Sequence, residues 1–417
     1  MVTAVNIPLP KLGVDLLSDE TQLPEGAVRR AANVDIRRDG TFARRDGYSV
    51  RVAGSGYHSM YGDAKGILVG RGTELCSYSP TTDAVTSILD TGSATPIDFA
   101  LYNGYLYFTN HGGTWRISAA NVLQRAGVRL PNPLPTVATA DNGALAAGKY
   151  VVAISRVNAT GEESATKVIG QVSLPYGGGI HLSGMSGEVG ATYRVYLTPP
   201  DGDALYLAEE FSSAFTTYVV TRQPDGAIRT SQHLAPLPGG DFIRGHAGRI
   251  YIAKDDTLRF SQPLRPHLHD PRHDFIQFSG LLRFIEPVLG GVFVGDDRGV
   301  WFLPGSDPSD MRMQLASDIP ALRRSSLMVS GAHFNREVAE VDAHVAVWLS
   351  AEGYMVGKPN GIVFPLQADR LRIDPTLEGK SRLVIRRGIK QVVTLVSSSR
   401  PTQYGVAIDT TPLIEEI

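Results

Sequence analysis

One pattern recurs along this chain of 417 residues: an apolar run opened by glycine, a polar turn, and a second short apolar run. Gly66-Ile67-Leu68-Val69-Gly70 passes through Arg71-Gly72 to Glu74-Leu75-Cys76. Gly104-Tyr105-Leu106-Tyr107-Phe108 passes through Asn110 and Gly113 to Trp115-Arg116-Ile117. Gly248-Arg249-Ile250-Tyr251-Ile252-Ala253 leads through Asp255-Asp256 to Leu258-Arg259-Phe260, and Gly291-Val292-Phe293-Val294-Gly295 leads through Asp297-Arg298 to Val300-Trp301-Phe302. The last two superimpose at an offset of 42, Tyr251 on Phe293 and Phe260 on Phe302. Weaker copies lie at Val345 to Met355 and Gly388 to Leu395. Apolar runs this short, bounded by turn residues, read as strands. A four-stranded propeller blade takes about 40 to 50 residues, so the spacing predicts a β-propeller of five or six blades.

The repeat breaks between Ile117 and Phe242. A proline-rich linker, Leu130-Pro131-Asn132-Pro133-Leu134-Pro135, comes first. Alternating runs follow at Ala147–Val157, Ile180–Leu182, Tyr193–Leu197, Tyr206–Ala208 and Thr216–Val220, with Asn158–Ser164 as a turn. About seven short strands here read as an immunoglobulin or fibronectin-like sandwich inserted into the propeller. The alternative is a true domain boundary at Thr114.

Residues 1–30 read as an extended arm with a short helical stretch at Ala27 to Ala32. A hairpin follows from Asn33 to Tyr48, with Asp39-Gly40 suiting a two-residue type I′ turn and Val34, Ile36 and Phe42 supplying an apolar face. The expected organisation is arm and docking hairpin (1–50), first part of the propeller (51–130), sandwich (131–236), and the rest of the propeller with a C-terminal tail (237–417).

Composition agrees with an all-β reading: 44 Gly and 26 Pro serve turns, while 16 Tyr and 14 Phe favour strands. A net charge of −2 argues against bulk nucleic-acid binding. From Arg29 to Arg51, however, seven Arg face three Asp, a local charge of +4. That marks the hairpin either as a docking element or as a solvated edge protected by charge. The single Cys76 leaves no intrachain disulfide and no cysteine zinc site. No secretory signal pattern opens the chain and no apolar run reaches membrane-spanning length, so synthesis in a cytoplasm is expected.

Motifs for chemistry are few. No Gly-x-Ser-x-Gly elbow, His-Glu-x-x-His, P-loop or dinucleotide fingerprint is present. His267, His269 and His273 form the densest histidine cluster, and Pro266 and Pro271 predict an exposed loop with solvated histidines. Binding of a first-row metal is the alternative there. Asn110-His111-Gly112-Gly113-Thr114-Trp115 matches the core of the Asp-box, a turn of sialidase blades that holds a hairpin together and performs no catalysis. A sialidase would need an arginine triad and a Tyr–Glu pair in one pocket, which nothing in the sequence assembles. The paired arginines Arg29-Arg30, Arg37-Arg38, Arg44-Arg45, Arg323-Arg324 and Arg386-Arg387 are read as surface or interface ion pairs, with phosphate or carboxylate contacts as the alternative.

Several features then converge. Asn33-Val34-Asp35-Ile36, Asp39-Gly40-Thr41 and Arg44-Arg45-Asp46-Gly47-Tyr48 together resemble the N-terminal hairpin of bacteriophage virion proteins, with Asp46 where that phrase usually has Pro. Gly148-Lys149-Tyr150, Gly161-Glu162-Glu163-Ser164 and Tyr193-Arg194-Val195-Tyr196 look like the sandwich insert of the same proteins. Pro238-Gly239-Gly240, His246–Tyr251 and Phe260-Ser261-Gln262-Pro263 are similar to the blade that follows it. In this order they resemble the tail nozzle or hub (tail tubular protein B-like) of short-tailed phages, or a related head-to-tail accessory factor.

The resemblance implies a structural virion protein of the tail or neck. It implies a ring, hexameric by preference, that lines or gates the channel for genome ejection. It further implies docking to adaptor, portal and other tail or fibre proteins, passage of viral DNA without sequence-specific binding, and neither catalytic residues nor cofactor. The docking residues expected in the hairpin are Asn33, Asp35, Arg37, Arg38, Asp39, Gly40, Arg44, Arg45, Gly47 and Tyr48. Two rival readings are a glycan-binding or glycan-degrading propeller used in host adsorption, and a propeller scaffold away from the DNA path.

Overall fold

A computed structural model of the chain describes residues 12–31, 34–36, 41–44, 49–187, 189–334, 343–366, 371–386 and 389–398. The described residues contain no α-helix, only strands, turns and two single-turn 3₁₀ segments. Among the described residues, five four-stranded meanders supply the propeller blades. Their strands span 57–90 (blade I), 98–125 (blade II), 242–277 (blade III), 284–317 (blade IV) and 327–365 (blade V). The strand order is sequential in I, IV and V, and in II it runs sequentially from Asp98–Tyr102 to Leu123–Arg125. In blade III the fourth strand is Phe275–Gln277, because the short strand Leu268–His269 leaves the meander to pair with Ala235–Pro236.

The recurring sequence unit is the central hairpin of each blade. Tyr105–Asn110 pairs with Gly113–Ile117, and Gly291–Gly295 with Val300–Pro304. An aromatic pair closes three of these hairpins: Phe108 with Trp115 at 5.6 Å, Tyr251 with Phe260 at 6.0 Å, and Phe293 with Phe302 at 4.8 Å. Rings at these separations contribute beyond their buried area, which accounts for aromatic residues recurring at matching positions. The copy expected at Gly388–Leu395 is not a blade. Ile389–Ser398 instead forms a two-stranded ribbon with Leu377–Arg386.

By its internal contacts the chain divides into two compact units, Met1–Asp90 with Ala253–Leu258 and Gln277–Ile417, and Thr91–Ile252 with Arg259–Ile276. In the first unit, blades IV and V share a core of Phe284, Phe293, Phe302, Ala346, Trp348 and Met355. Trp348 lies 5.3 Å from the Phe284 ring and 5.6 Å from Phe293. Gly357 makes this possible, since a Cβ there would stand 2.6 Å from Phe293 and 2.9 Å from Trp348. In the second unit, blade II and the start of blade III bury Ala100, Tyr107, Leu237, Ile243, Ile250 and Ile252 together.

The insert is a seven-stranded sandwich. In one sheet Gly178–Ser183 lies between Thr136–Leu145 and Thr217–Val220; the other runs in the order Lys167–Leu174, Gly148–Val157, Thr192–Leu197, Tyr206–Ser212. The four-stranded order is that of the C′-C-F-G sheet of immunoglobulin-type sandwiches. With Thr136–Leu145 in the place of strand B and Gly178–Ser183 in that of strand E, no strand A pairs with Thr136–Leu145 among the described residues, and Thr217–Val220 is added on the other edge of Gly178–Ser183 instead. Tyr150, Val152, Ile154, Leu174, Tyr193 and Val195 are among the residues that fill the core between the sheets.

At the N-terminus, the expected helix over Ala27 to Ala32 is absent among the described residues. Ala27–Val28 pairs in parallel with Gly13–Val14, and Arg29 donates to the carbonyls of Asp15 and Ser18 at 3.3 and 2.7 Å. Two β-branched or small residues gain more from that backbone pairing than one isolated helical turn would supply.

Candidate functional site

The expected docking hairpin exists as paired strands. Val34 pairs with Arg44, Asp35 with Ala43, and Ile36 with Phe42. The type I′ turn expected at Asp39-Gly40 lies outside the described residues. Arg44 is exposed and lies opposite Val34. Asn33, Arg37, Arg38, Asp39, Gly40, Arg45, Gly47 and Tyr48 lie outside the described residues.

The Asp-box-like turn behaves as its sequence implied. Asn110 donates to Thr91 Oγ1 at 2.8 Å and to the Ser93 carbonyl at 3.0 Å, while its Oδ1 accepts from Gly112 N at 2.9 Å. Asn110 thus ties the hairpin end to the preceding loop. His111 reaches Asp241 at 3.1 Å.

The histidine cluster differs from expectation. His267 and His269 are 8% and 4% exposed, because Leu268–His269 is a bridge strand and not a solvated loop. His269 Nδ1 stands 3.0 Å from the Ala235 carbonyl and donates to it, and His273 is exposed beyond the turn. A compact turn causes this: Arg265 N donates to the Gln262 carbonyl, Leu268 N to that of Arg265, and Gln262 N to that of Leu268. Among the described residues, no group of three or more His, Cys, Asp or Glu side chains is arranged to hold a metal.

The densest polar assembly is built by the Asn158–Ser164 turn of the sandwich. Asn158 Oδ1 accepts from Thr160 N, Thr160 Oγ1 and Glu162 N at 2.8–3.0 Å, and Gly161 takes a φ of 80° that a side chain would oppose. The tightened turn sends two consecutive carboxylates in different directions. Glu162 meets Arg116 of blade II in a two-pronged pair at 2.7 and 2.5 Å. Arg116 is 3% exposed, and its guanidinium also lies 4.7 Å from the Tyr105 ring centre. Glu163 accepts from Ser155 at 2.5 Å, from Tyr196 at 2.7 Å and from Arg194 at 2.9 Å. Arg194 donates its Nε to Glu210 at 2.5 Å.

Charge is held firmly here. Burial pushes the Glu162 carboxyl up, but Arg116, Asn158 and His267 outweigh it and leave the net shift downward. Burial, then the hydrogen bond to Glu163, pushes the Tyr196 phenol well above its usual range. Burial is also the largest influence on His267, lowering it and favouring the neutral imidazole. His267 Nδ1 stands 3.5 Å from Glu162 Oε1, without a hydrogen bond.

Beside this network lies a polar cavity of about 250 Å³, whose lining includes Thr160, Glu162, Glu163, Arg194, Arg265 and His267. Sequence reading cited Glu162, Glu163, Arg194 and Arg116 only as turn and strand residues. The available signal was an arginine alternating with buried apolar residues, as in Trp115-Arg116-Ile117 and Tyr193-Arg194-Val195. An arginine at such a position requires a nearby acid.

No family model matches this chain, and no curated protein matches it. Among solved structures, similarity extends to BBS1N in complex with ARL6DN, at 12% identity and a TM-score of 0.35 over 86% of this chain and 97% of that one. It extends also to a puromycin hydrolase S511A mutant complexed with PGG, at 13% identity and a TM-score of 0.26 over 87% of this chain and 54% of that one. The AfRom2 CNH domain matches at 6% identity and a TM-score of 0.26, covering 82% and 91%. Likenesses this slight carry no argument about function.

Proposed function

We propose that this chain is a non-enzymatic structural component of a bacteriophage tail or neck. In this reading, copies assemble as a ring that lines or gates the path of the genome. The hairpin around Val34–Arg44 docks to adaptor, portal or tail proteins. The observation that carries the reading is the order of parts: a basic hairpin, two blades, a sandwich insert, then further blades. Near-neutral overall charge suits a channel wall along which DNA slides without being gripped. Charge complementarity at a subunit contact sets register and partner choice more than affinity, which is a fitting role for paired arginines on a hairpin.

Reversing charge at Arg37-Arg38 or at Arg44-Arg45 to glutamate is expected to block incorporation into particles while the isolated protein stays folded. Immunoblots of purified particles beside circular dichroism of the free protein read both outcomes. Normal incorporation of both variants would reduce the hairpin to a solvated edge.

A further inference from the structure

We propose that the cavity beside the Asn158–Ser164 turn binds a single acidic monosaccharide unit, holding its carboxylate with Arg265 and Arg194. The two carboxylates at the wall are already committed. Glu162 is occupied by Arg116, and Glu163 by Ser155, Tyr196 and Arg194. The lining groups with unused donors are the cations. Arg265 is exposed and makes one side-chain hydrogen bond among the described residues, to Thr230 Oγ1 at 3.3 Å. Arg194 spends Nε and Nη1 on glutamates, and Nη2 makes no hydrogen bond among the described residues. His267, nine-tenths buried, presents Nδ1 without a hydrogen bond at the same wall.

One carboxylate can take charge-assisted hydrogen bonds from the Arg265 guanidinium and from the remaining Arg194 nitrogen. A dianionic phosphate would face Glu162 and Glu163 with twice the repulsion. Glu163, which accepts three hydrogen bonds, keeps an acceptor lone pair, and Thr160 adds a hydroxyl, so the wall suits the hydroxyl groups of a sugar. At about 250 Å³ the cavity falls below drug size and accommodates one ring. The site requires no reaction and stands independently of virion assembly.

The test is titration of purified full-length protein with glucuronate, read by saturation-transfer NMR, with glucose and inorganic phosphate in parallel. Wild type is expected to bind glucuronate and not glucose. Arg265→Ala should weaken binding about tenfold or more, and Arg265→Lys should restore part of it. Arg272→Ala, an exposed arginine paired with Asp270 outside the cavity, should leave binding unchanged. Absence of glucuronate binding in wild type, equal binding in Arg265→Ala, or tighter binding of phosphate would each overturn the assignment. Unchanged circular dichroism of Arg265→Ala separates lost binding from lost fold.

Discussion

The blade IV–V core and the Glu162–Glu163 turn solve one problem, fixing neighbouring elements, by opposite means. In blade IV every residue of Phe284–Val288 and Gly291–Gly295 is buried, and Phe284, Val288 and Phe293 pack in the apolar core around Trp348. The turn devotes consecutive carboxylates to two arginines on different strands. Apolar packing is tolerant of direction and sensitive to volume. A buried ion pair is sensitive to the loss of either partner, yet adds little over a hydrophobic pair of the same shape. The difference teaches that the blades hold by filled volume, whereas the sandwich turn holds by charge geometry.

Substitutions can break this comparison, beginning with the largest effect. Phe293→Ala removes a ring in contact with both Phe302 and Trp348 and should cost about 3–5 kcal/mol. Denaturant titration should register it, with faster hydrogen exchange confined to blades IV and V. Arg116→Ala leaves the half-buried Glu162 without its guanidinium partner, with an expected loss of about 2–3 kcal/mol, while Arg116→Met combined with Glu162→Leu should recover most of it. If the double variant were as unstable as the single one, the pair would be indispensable in a way the blade core is not. Gly357→Ala, which adds volume where none remains, should cost about 1–3 kcal/mol without altering the turn.

The smallest effect sharpens the contrast through pH. Tyr218 donates to Glu209 at 2.7 Å, and burial followed by that bond pushes its phenol up to about 12. A proton held more tightly in the folded state gives stability that is present below the ordinary tyrosine value and declines as pH rises through the folded one. Stability should therefore fall between about pH 10 and 12, and Tyr218→Phe should flatten that slope at a cost near 1 kcal/mol. On the acid side, burial raises the Glu209 carboxyl, but hydrogen bonds from Tyr218, Thr221 and Arg222 outweigh it and the net shift is downward. The associated stability is present above the ordinary glutamate range and is lost as pH falls through the lower, folded value. Equilibrium unfolding across pH measures both limbs.

What the sequence made legible follows the same division. The central hairpins of blades II, IV and V bury both faces for most of their length, so their glycine-bounded apolar runs stood out, as did the alternating strands of the sandwich. Outer strands such as Ala84–Asp90 and Gln314–Ser317 are mostly exposed and carry no pattern of their own. The Gly388–Leu395 run imitated a blade because a ribbon packed on one face shares its alternation. The cavity was hidden for another reason. Glu162, Arg194 and His267 are 73 residues apart at most among consecutive members, and only the folded turn brings them to one wall. Burial of His267 and His269 was equally unreadable, since prolines on either side describe a turn and say nothing of what packs against it.

The central claim, a ring on the genome path, is tested most directly by a side-chain-resolution electron-microscopy reconstruction of particles carrying this protein. The account predicts symmetric copies of the five blades and sandwich around the tail axis, with the hairpin of residues 34–44 seated in a neighbouring subunit or adaptor. Copies lying off the axis, or particles complete without the protein, would contradict it.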